Sequence, residues 1–326
     1  RSRGLGDVYK RQFLLLALCT SHASAIDGWP DGIREVRYPS SADKSEQPAL
    51  FYSPGSKKPR PLLVGLHTWS SDYKNGYDIP YAKWCVEQGW VFIHPNFRGP
   101  NRRPEACGSE LMVKDIESAV EWAVKQASVD RDRVYLVGTS GGGHAALLLA
   151  GRLPGLWAGV SAWVGISDLS AWQRECKKSK RRYWRDIEAS CGGPPGKSAV
   201  IDREYSQRSP LTWLKDYQGP PIDINAGIRD GHTGSVPISH SLLAFNRIAE
   251  KKDQVAMADI LSMTKTAKVP EQLQREIKDT AYGKKRPLFR ATSKNARVTI
   301  FDGGHEIVTG AAFSWLSKQR RPASKR

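Results

Sequence analysis

Long apolar runs are nearly absent from this chain. The one conspicuous run, Phe13-Leu-Leu-Leu-Ala-Leu-Cys19, is far shorter than the ~20 residues a membrane-spanning helix needs. No other segment qualifies, so stable membrane insertion is not expected. Cysteine is scarce, with five in 326 residues. They form no C-x-x-C pair and no Cys/His spacing of the kind that holds zinc, so neither a metal nor a cofactor is expected. Acidic residues are outnumbered, 33 against 50 Lys and Arg, for a net charge of +17. Such an excess attracts polyanions, yet no nucleic-acid-binding motif accompanies it. It reads as a solvated basic surface concentrated at 177–185 and 318–326, with nucleic acid excluded as a partner. Histidine numbers only seven, which narrows any search for a catalytic base. No internal repeat is present, which excludes a solenoid.

What is there suits a globular domain. Hydrophobic residues make up 40%, enough for a core, and the length fits one large α/β domain with insertions. The apolar run ends in Ala23-Ser-Ala25, an A-x-A-like cleavage site. Residues 1–25 are therefore expected to be a secretory leader preceded by an adaptor-like scar at Arg1–Gln12. Residues 26–326 then form the domain, secreted or periplasmic. Export permits disulfides, and sequence proximity favours Cys85–Cys107 and Cys176–Cys191.

Strand and helix patterns alternate along the chain. Pro48–Ser53, Pro61–His67, Trp90–His94, Val134–Val137, Trp157–Val164, Pro221–Ala226 and Ala296–Phe301 read as strands, and Asp130–Arg133 as a loop. Ser109–Ala127 carries Met112, Ile116, Val120 and Ala123 at helical spacing. This alternation predicts a mostly parallel sheet with helices on both faces, which binds ligands at the carboxyl ends of its strands. Two stretches break the pattern. Residues 168–217 are polar, basic and Trp-containing, and are expected to form a lid; residues 251–287 are a second insertion.

Gly138-Thr-Ser140-Gly-Gly142 lies between the apolar run Val134–Val137 and a helix. A serine on such a turn is held clear of the backbone, beside amides and a helix start. It attacks a carbonyl well only if a base takes its proton. Thr299-Ile-Phe-Asp-Gly-Gly-His305 places a histidine just past the last strand. Asn225-Ala-Gly-Ile-Arg-Asp230 places an acid in a glycine-rich loop after an earlier strand; Asp168 is the runner-up. Ser140, Asp230 and His305 in that order suit nucleophile, acid and base. The charge that develops on the attacked oxygen needs fixed donors. These are expected to be the N–H of Gly141 and that of Trp69, with Thr68 as alternative. His67, Trp172 and His232 are candidate substrate contacts.

These segments resemble the α/β hydrolases of the prolyl oligopeptidase group. The marks are Gly138–Gly142, Pro95-Asn-Phe-Arg98-Gly99, Asp230 ahead of Val236-Pro237, and Gly303-Gly-His305. The resemblance implies an α/β-hydrolase fold with an eight-stranded, mostly parallel sheet and a Ser140–His305–Asp230 triad. Thr68-Trp69 replaces the His-Gly-Gly common in hydrolases. The stretch between residue 26 and the first core strand is too short for the propeller domain usual in the group, so a stand-alone member is expected. Such members resemble secreted acetyl xylan and feruloyl esterases as much as peptidases. Two readings follow. One is a serine hydrolase acting on a small-molecule, peptide or polysaccharide-linked ester or amide. The other is a non-catalytic polysaccharide-binding protein on the same scaffold.

Overall fold

Six of the strands in this molecule are buried along most of their length, and they dictate its centre. A computed structural model describes residues 26–322; the expected leader at 1–25 and the end of the basic tail lie outside the described residues. In chain order the elements are β1 (Arg34–Pro39), β2 (Glu46–Tyr52), β3 (Arg60–Leu66), α1 (Ile79–Gln88), β4 (Val91–Pro95), α2 (Glu110–Gln126), β5 (Val129–Thr139), α3 (Gly141–Arg152) and β6 (Gly159–Trp163). Four helices follow: α4 (Leu169–Lys178), α5 (Tyr183–Cys191), α6 (Ala199–Arg208) and α7 (Pro210–Trp213). The chain then forms β7 (Ile222–Gly227), α8 (Ser239–Ile248), α9 (Met257–Thr266), β8 (Pro287–Ser293), β9 (Ala296–Phe301) and α10 (Thr309–Leu316).

The strands join one sheet in the order β1-β2-β4-β3-β5-β6-β7-β9-β8. The central six, β4 to β9 in that order, run parallel. β1, β2 and β8 are antiparallel additions at the edges. Every residue of β4, β6 and β7 is buried, as a parallel sheet covered on both faces requires. α2 starts where Ser109 accepts the N–H of Met112 and turns Met112, Ile116, Val120 and Ala123 onto the sheet. Its buried Asp115 is neutralised by Arg98, whose Nε donates at 2.5 Å. The Asn-x-Arg-Gly mark thus acts in the framework.

Three expectations need correction. The sheet has nine strands among the described residues, not eight. Asp130–Arg133 is not a loop but the first part of β5, reached through an irregularity in its pairing with β3 between Arg60 and Leu62. The four cysteines form no disulfide: Cys85, Cys107, Cys176 and Cys191 are free and buried. Cys85 lies in the main core with α1, whereas Cys107 packs in a separate apolar cluster with Cys176 and Cys191. Chain proximity therefore paired Cys85 with Cys107 across two separate cores, whereas Cys176 and Cys191 share one cluster without a bond between them.

Candidate active site

The parallel strands deliver four loops to one rim. Ser140 follows β5, Trp69 lies beyond β3, Asp230 follows β7 and His305 follows β9. Ser140 has φ 59° and ψ −115°, a backbone conformation that costs on the order of 1–3 kcal/mol for a residue with a side chain. Its surroundings fix it there. Its N–H donates to Trp163 O at 2.8 Å, and its C=O accepts the N–H of His144 at 2.8 Å. Helix α3 begins at the next residue and is buried from Gly141 to Ala150, so its positive end faces the serine.

Asp230 and His305 meet across the rim. His305 Nδ1 donates to Asp230 Oδ2 at 2.7 Å. The other carboxylate oxygen accepts the N–H of Gly231 at 2.9 Å and of Val236 at 3.2 Å. Asp230 is thus a buried, oriented acceptor, and His305 a partly exposed ring. The loop between them fits tightly: a Cβ on Gly234 would sit 2.1 Å from Asp230 Oδ1 and 2.5 Å from His305 Cβ. Only glycine lets the chain wrap the pair so closely. Glu306 secures the far side, accepting the Gly304 N–H at 3.0 Å and the Lys285 ammonium at 2.8 Å. Burial opposes charge on Glu306, but those two donors outweigh it and hold its carboxyl below the usual range.

The amides of Gly141 and Trp69 converge beside Ser140. A Cβ on Gly141 would lie 2.4 Å from Trp69 N, so the two backbones touch. Trp69 N–H donates to no group among the described residues, while Trp69 O accepts from Asn101 N at 2.9 Å. The Trp69 ring is buried and edge-on to Trp172, 4.7 Å between centroids, which immobilises the loop. Ser140, Thr139, Trp69, Tyr77, Tyr183 and His305 line a cavity of about 410 Å³. The Ser140 hydroxyl makes no hydrogen bond among the described residues and borders the same space as the imidazole.

The chain finds its counterpart in known sequences. The profile of the prolyl oligopeptidase family matches residues 77–265, more than half of the chain. The chain belongs to the prolyl oligopeptidase family. The match includes Ser140 and Asp230. Among relatives, dipeptidyl aminopeptidase BIII of Pseudoxanthomonas mexicana is 28% identical over 183 residues, covering 53% of this chain and 26% of that protein. Acetylxylan esterase A of Emericella nidulans is 24% identical over 113 residues, covering 32% of this chain and 37% of the esterase. Pyrococcus horikoshii acylaminoacyl peptidase shares the fold with a TM-score of 0.53 at 20% identity, over 66% of this chain and 34% of that one. This chain therefore spans less than half the length of each of these three proteins. The neighbour shares with this chain the α/β-hydrolase fold, a mostly parallel sheet covered by helices on both faces.

Several residues marked in the sequence sit elsewhere than in the cavity. Trp172 is buried and does not border this cavity. Its indole donates to Ser235 O at 3.0 Å and its ring stacks on Tyr183, so it braces the wall behind the site. His67 is fully buried; its two ring nitrogens lie 2.9 Å from Thr68 O and Asn96 O, and its ring stacks on Phe97 at 3.9 Å. His232 is exposed and turned to Thr264 O at 2.9 Å. Asp168 accepts the N–H of Ala171 and caps α4. None of these four lines the cavity of Ser140. In their place the structure brings Tyr77, Asp78, Tyr183 and Ile307 to the cavity. Of these, only Tyr183 lay in a stretch whose composition had pointed to the site.

Proposed function

We propose that Ser140, His305 and Asp230 are the catalytic triad of a serine hydrolase that cleaves an ester or amide through an acyl-enzyme. The observation that carries this reading is the His305 Nδ1–Asp230 Oδ2 bond of 2.7 Å, with the ring and the strained serine on one cavity. Held by Asp230, the imidazole presents Nε2 as a base. It takes the Ser140 proton as Oγ bonds to the substrate carbonyl carbon. The oxygen that becomes negative falls to the N–H groups of Gly141 and Trp69, donors that need no reorganisation. The imidazolium then protonates the leaving alcohol or amine as its bond to carbon breaks. Water, deprotonated by the same nitrogen, releases the acyl group and restores Ser140. The relatives, named as an aminopeptidase and an esterase, span both leaving-group chemistries, which suits one triad serving either. The helices of 168–217 act as the lid that sets specificity.

The apolar run Phe13–Cys19 and the Ala-x-Ala site at Ala25 support export to the periplasm or medium. Among the described residues no helix is long and apolar enough to cross a membrane. The test is hydrolysis of p-nitrophenyl acetate, a feruloyl ester, acetylated xylan and a proline-containing peptide amide by purified protein. Ser140→Ala and His305→Ala are expected to reduce the accepted substrate's kcat/KM by at least 10³-fold with unchanged circular dichroism. Full turnover in either variant refutes the assignment.

A further inference from the structure

Beside the catalytic cavity lies a second chamber of about 810 Å³, bordered like the first by Trp69, Tyr183 and His305. Its charge is one-sided. Arg102, from the loop after β4, and Arg181 and Arg182, from the turn between α4 and α5, line it against one carboxylate, Asp186. Among the described residues no acidic group lies within ion-pair distance of any of the three arginines, whereas Arg98 is matched by Asp115 and Arg297 by Asp223. Burial pushes the Asp186 carboxyl up, against the opposing pull of Arg182, the Trp69 indole and Arg102, so this acid offsets one cation at most.

Arg181 is built in, while Arg102 and Arg182 stand exposed at the chamber wall. Arg181 Nη1 donates to Gly234 O, the residue that wraps the Asp230–His305 pair, so one guanidinium of the lid is tied to the catalytic loop. Asn101, next to Arg102, donates to Trp69 O at 2.9 Å, which ties the opposite wall to the oxyanion loop. Outward from the chamber the basic strip continues through the exposed Lys177, Lys178 and Lys180. A neutral acyl or alcohol group gains nothing from such a wall. A carboxylate gains charge-assisted, fork-like hydrogen bonds that planar guanidinium groups supply best.

The geometry points to a substrate that carries a carboxylate close to its scissile bond, held by Arg102, Arg181 and Arg182 in the chamber next to His305. This rests on the serine-hydrolase reading for its chemistry but not for its binding. Two ester pairs test it, one with the carboxylate on each side of the bond. They are p-nitrophenyl hemiadipate against p-nitrophenyl hexanoate, and 4-acetoxybenzoate against 4-acetoxybenzamide.

At 0.15 M NaCl the anionic member of at least one pair is expected to show a kcat/KM ten-fold or more above its neutral partner. Arg102→Gln with Arg182→Gln should bring that ratio within about three-fold of unity. Arg320→Gln, which removes a surface cation paired with Asp130 and Asp132, should preserve it, separating the chamber from the general positive field. Equal rates within both pairs, or a preference that survives the double substitution, overturn the inference. If the wild type turns over none of the four esters, the triad reading fails and the chamber is judged by binding. Calorimetry on Ser140→Ala protein with the two anionic esters should then show a Kd weakened at least ten-fold by the arginine substitutions; an unchanged Kd, or no binding, rejects the site.

Discussion

Replacing Asp230 by asparagine probes the proposed catalytic arrangement with the least disturbance of volume. The carboxylate holds three hydrogen atoms: the N–H groups of Gly231 and Val236 on Oδ1 and the Nδ1–H of His305 on Oδ2. An asparagine has one acceptor atom, and two fixed backbone donors already claim that side. Its oxygen must therefore face Gly231 and Val236, and its NH₂ group must face His305. That group donates, so the ring nitrogen opposite it becomes the acceptor and the ring proton moves to Nε2. The imidazole then presents a proton to Ser140 where it needs a lone pair. A wrong-tautomer base costs about 10⁴-fold in turnover in the best-studied serine hydrolases, or about 5.5 kcal/mol of transition-state stabilisation. A loss of 10³- to 10⁴-fold in kcat/KM for p-nitrophenyl acetate is expected. Circular dichroism and the melting temperature should confirm the fold, since the amide preserves both backbone contacts. Asp168→Asn, which keeps a competent helix cap, should leave the rate within two-fold. Retention of more than a tenth of wild-type activity in Asp230→Asn would refute the reasoning.

Two further outcomes follow from backbone strain and buried charge. Ser140→Gly removes the side chain from a backbone at φ 59° and should raise the melting temperature by a few degrees relative to Ser140→Ala, since relief of such strain is worth on the order of 1–3 kcal/mol; equal melting temperatures contradict the strain. His144 is fully buried with Nε2 at 2.8 Å from Arg208 O, and burial pushes its imidazole down to about 4. The unfolded chain takes that proton near pH 6.5, so the folded state has full stability above that pH and loses it as pH falls from about 6.5 towards 4, by up to about 3 kcal/mol. Urea unfolding at pH 7 and pH 4.5 should show this loss, and His144→Gln should flatten it; an unchanged slope contradicts the assignment.

Much of the candidate site was legible because the local chemistry is local. The run Val134–Val137, the glycines around Ser140 and the short loops carrying Asp230 and His305 each announce a strand end and a turn. What joins them is the parallel sheet, and its alternation was also visible. The edges were less so. β1 reads Arg-Glu-Val-Arg-Tyr-Pro, with charged residues on its exposed face, and β8 is shorter of apolar residues than the core strands; an antiparallel edge needs only one buried face. The start of β5, Val-Asp-Arg-Asp-Arg, resembles a turn by composition, yet pairing with β3 holds it extended. Side-chain direction was the other blind spot. His67 lies one residue past β3, but its ring turns inward to backbone carbonyls. Trp172 sits on a lid helix, but on the face packed against Trp69. Residue type does not tell which way a ring points. The arginines of the second chamber were visible only as surplus charge, because the turn between α4 and α5 and the loop after β4 meet only in three dimensions.

The central claim is that Ser140 is the residue that attacks. Incubation of the intact enzyme with a biotinylated fluorophosphonate, followed by proteolysis and mass spectrometry, measures it directly. One adduct on Ser140 is expected, absent from Ser140→Ala and slowed by orders of magnitude in His305→Ala. Folded protein that takes up no probe, or that carries it on another serine, contradicts the account.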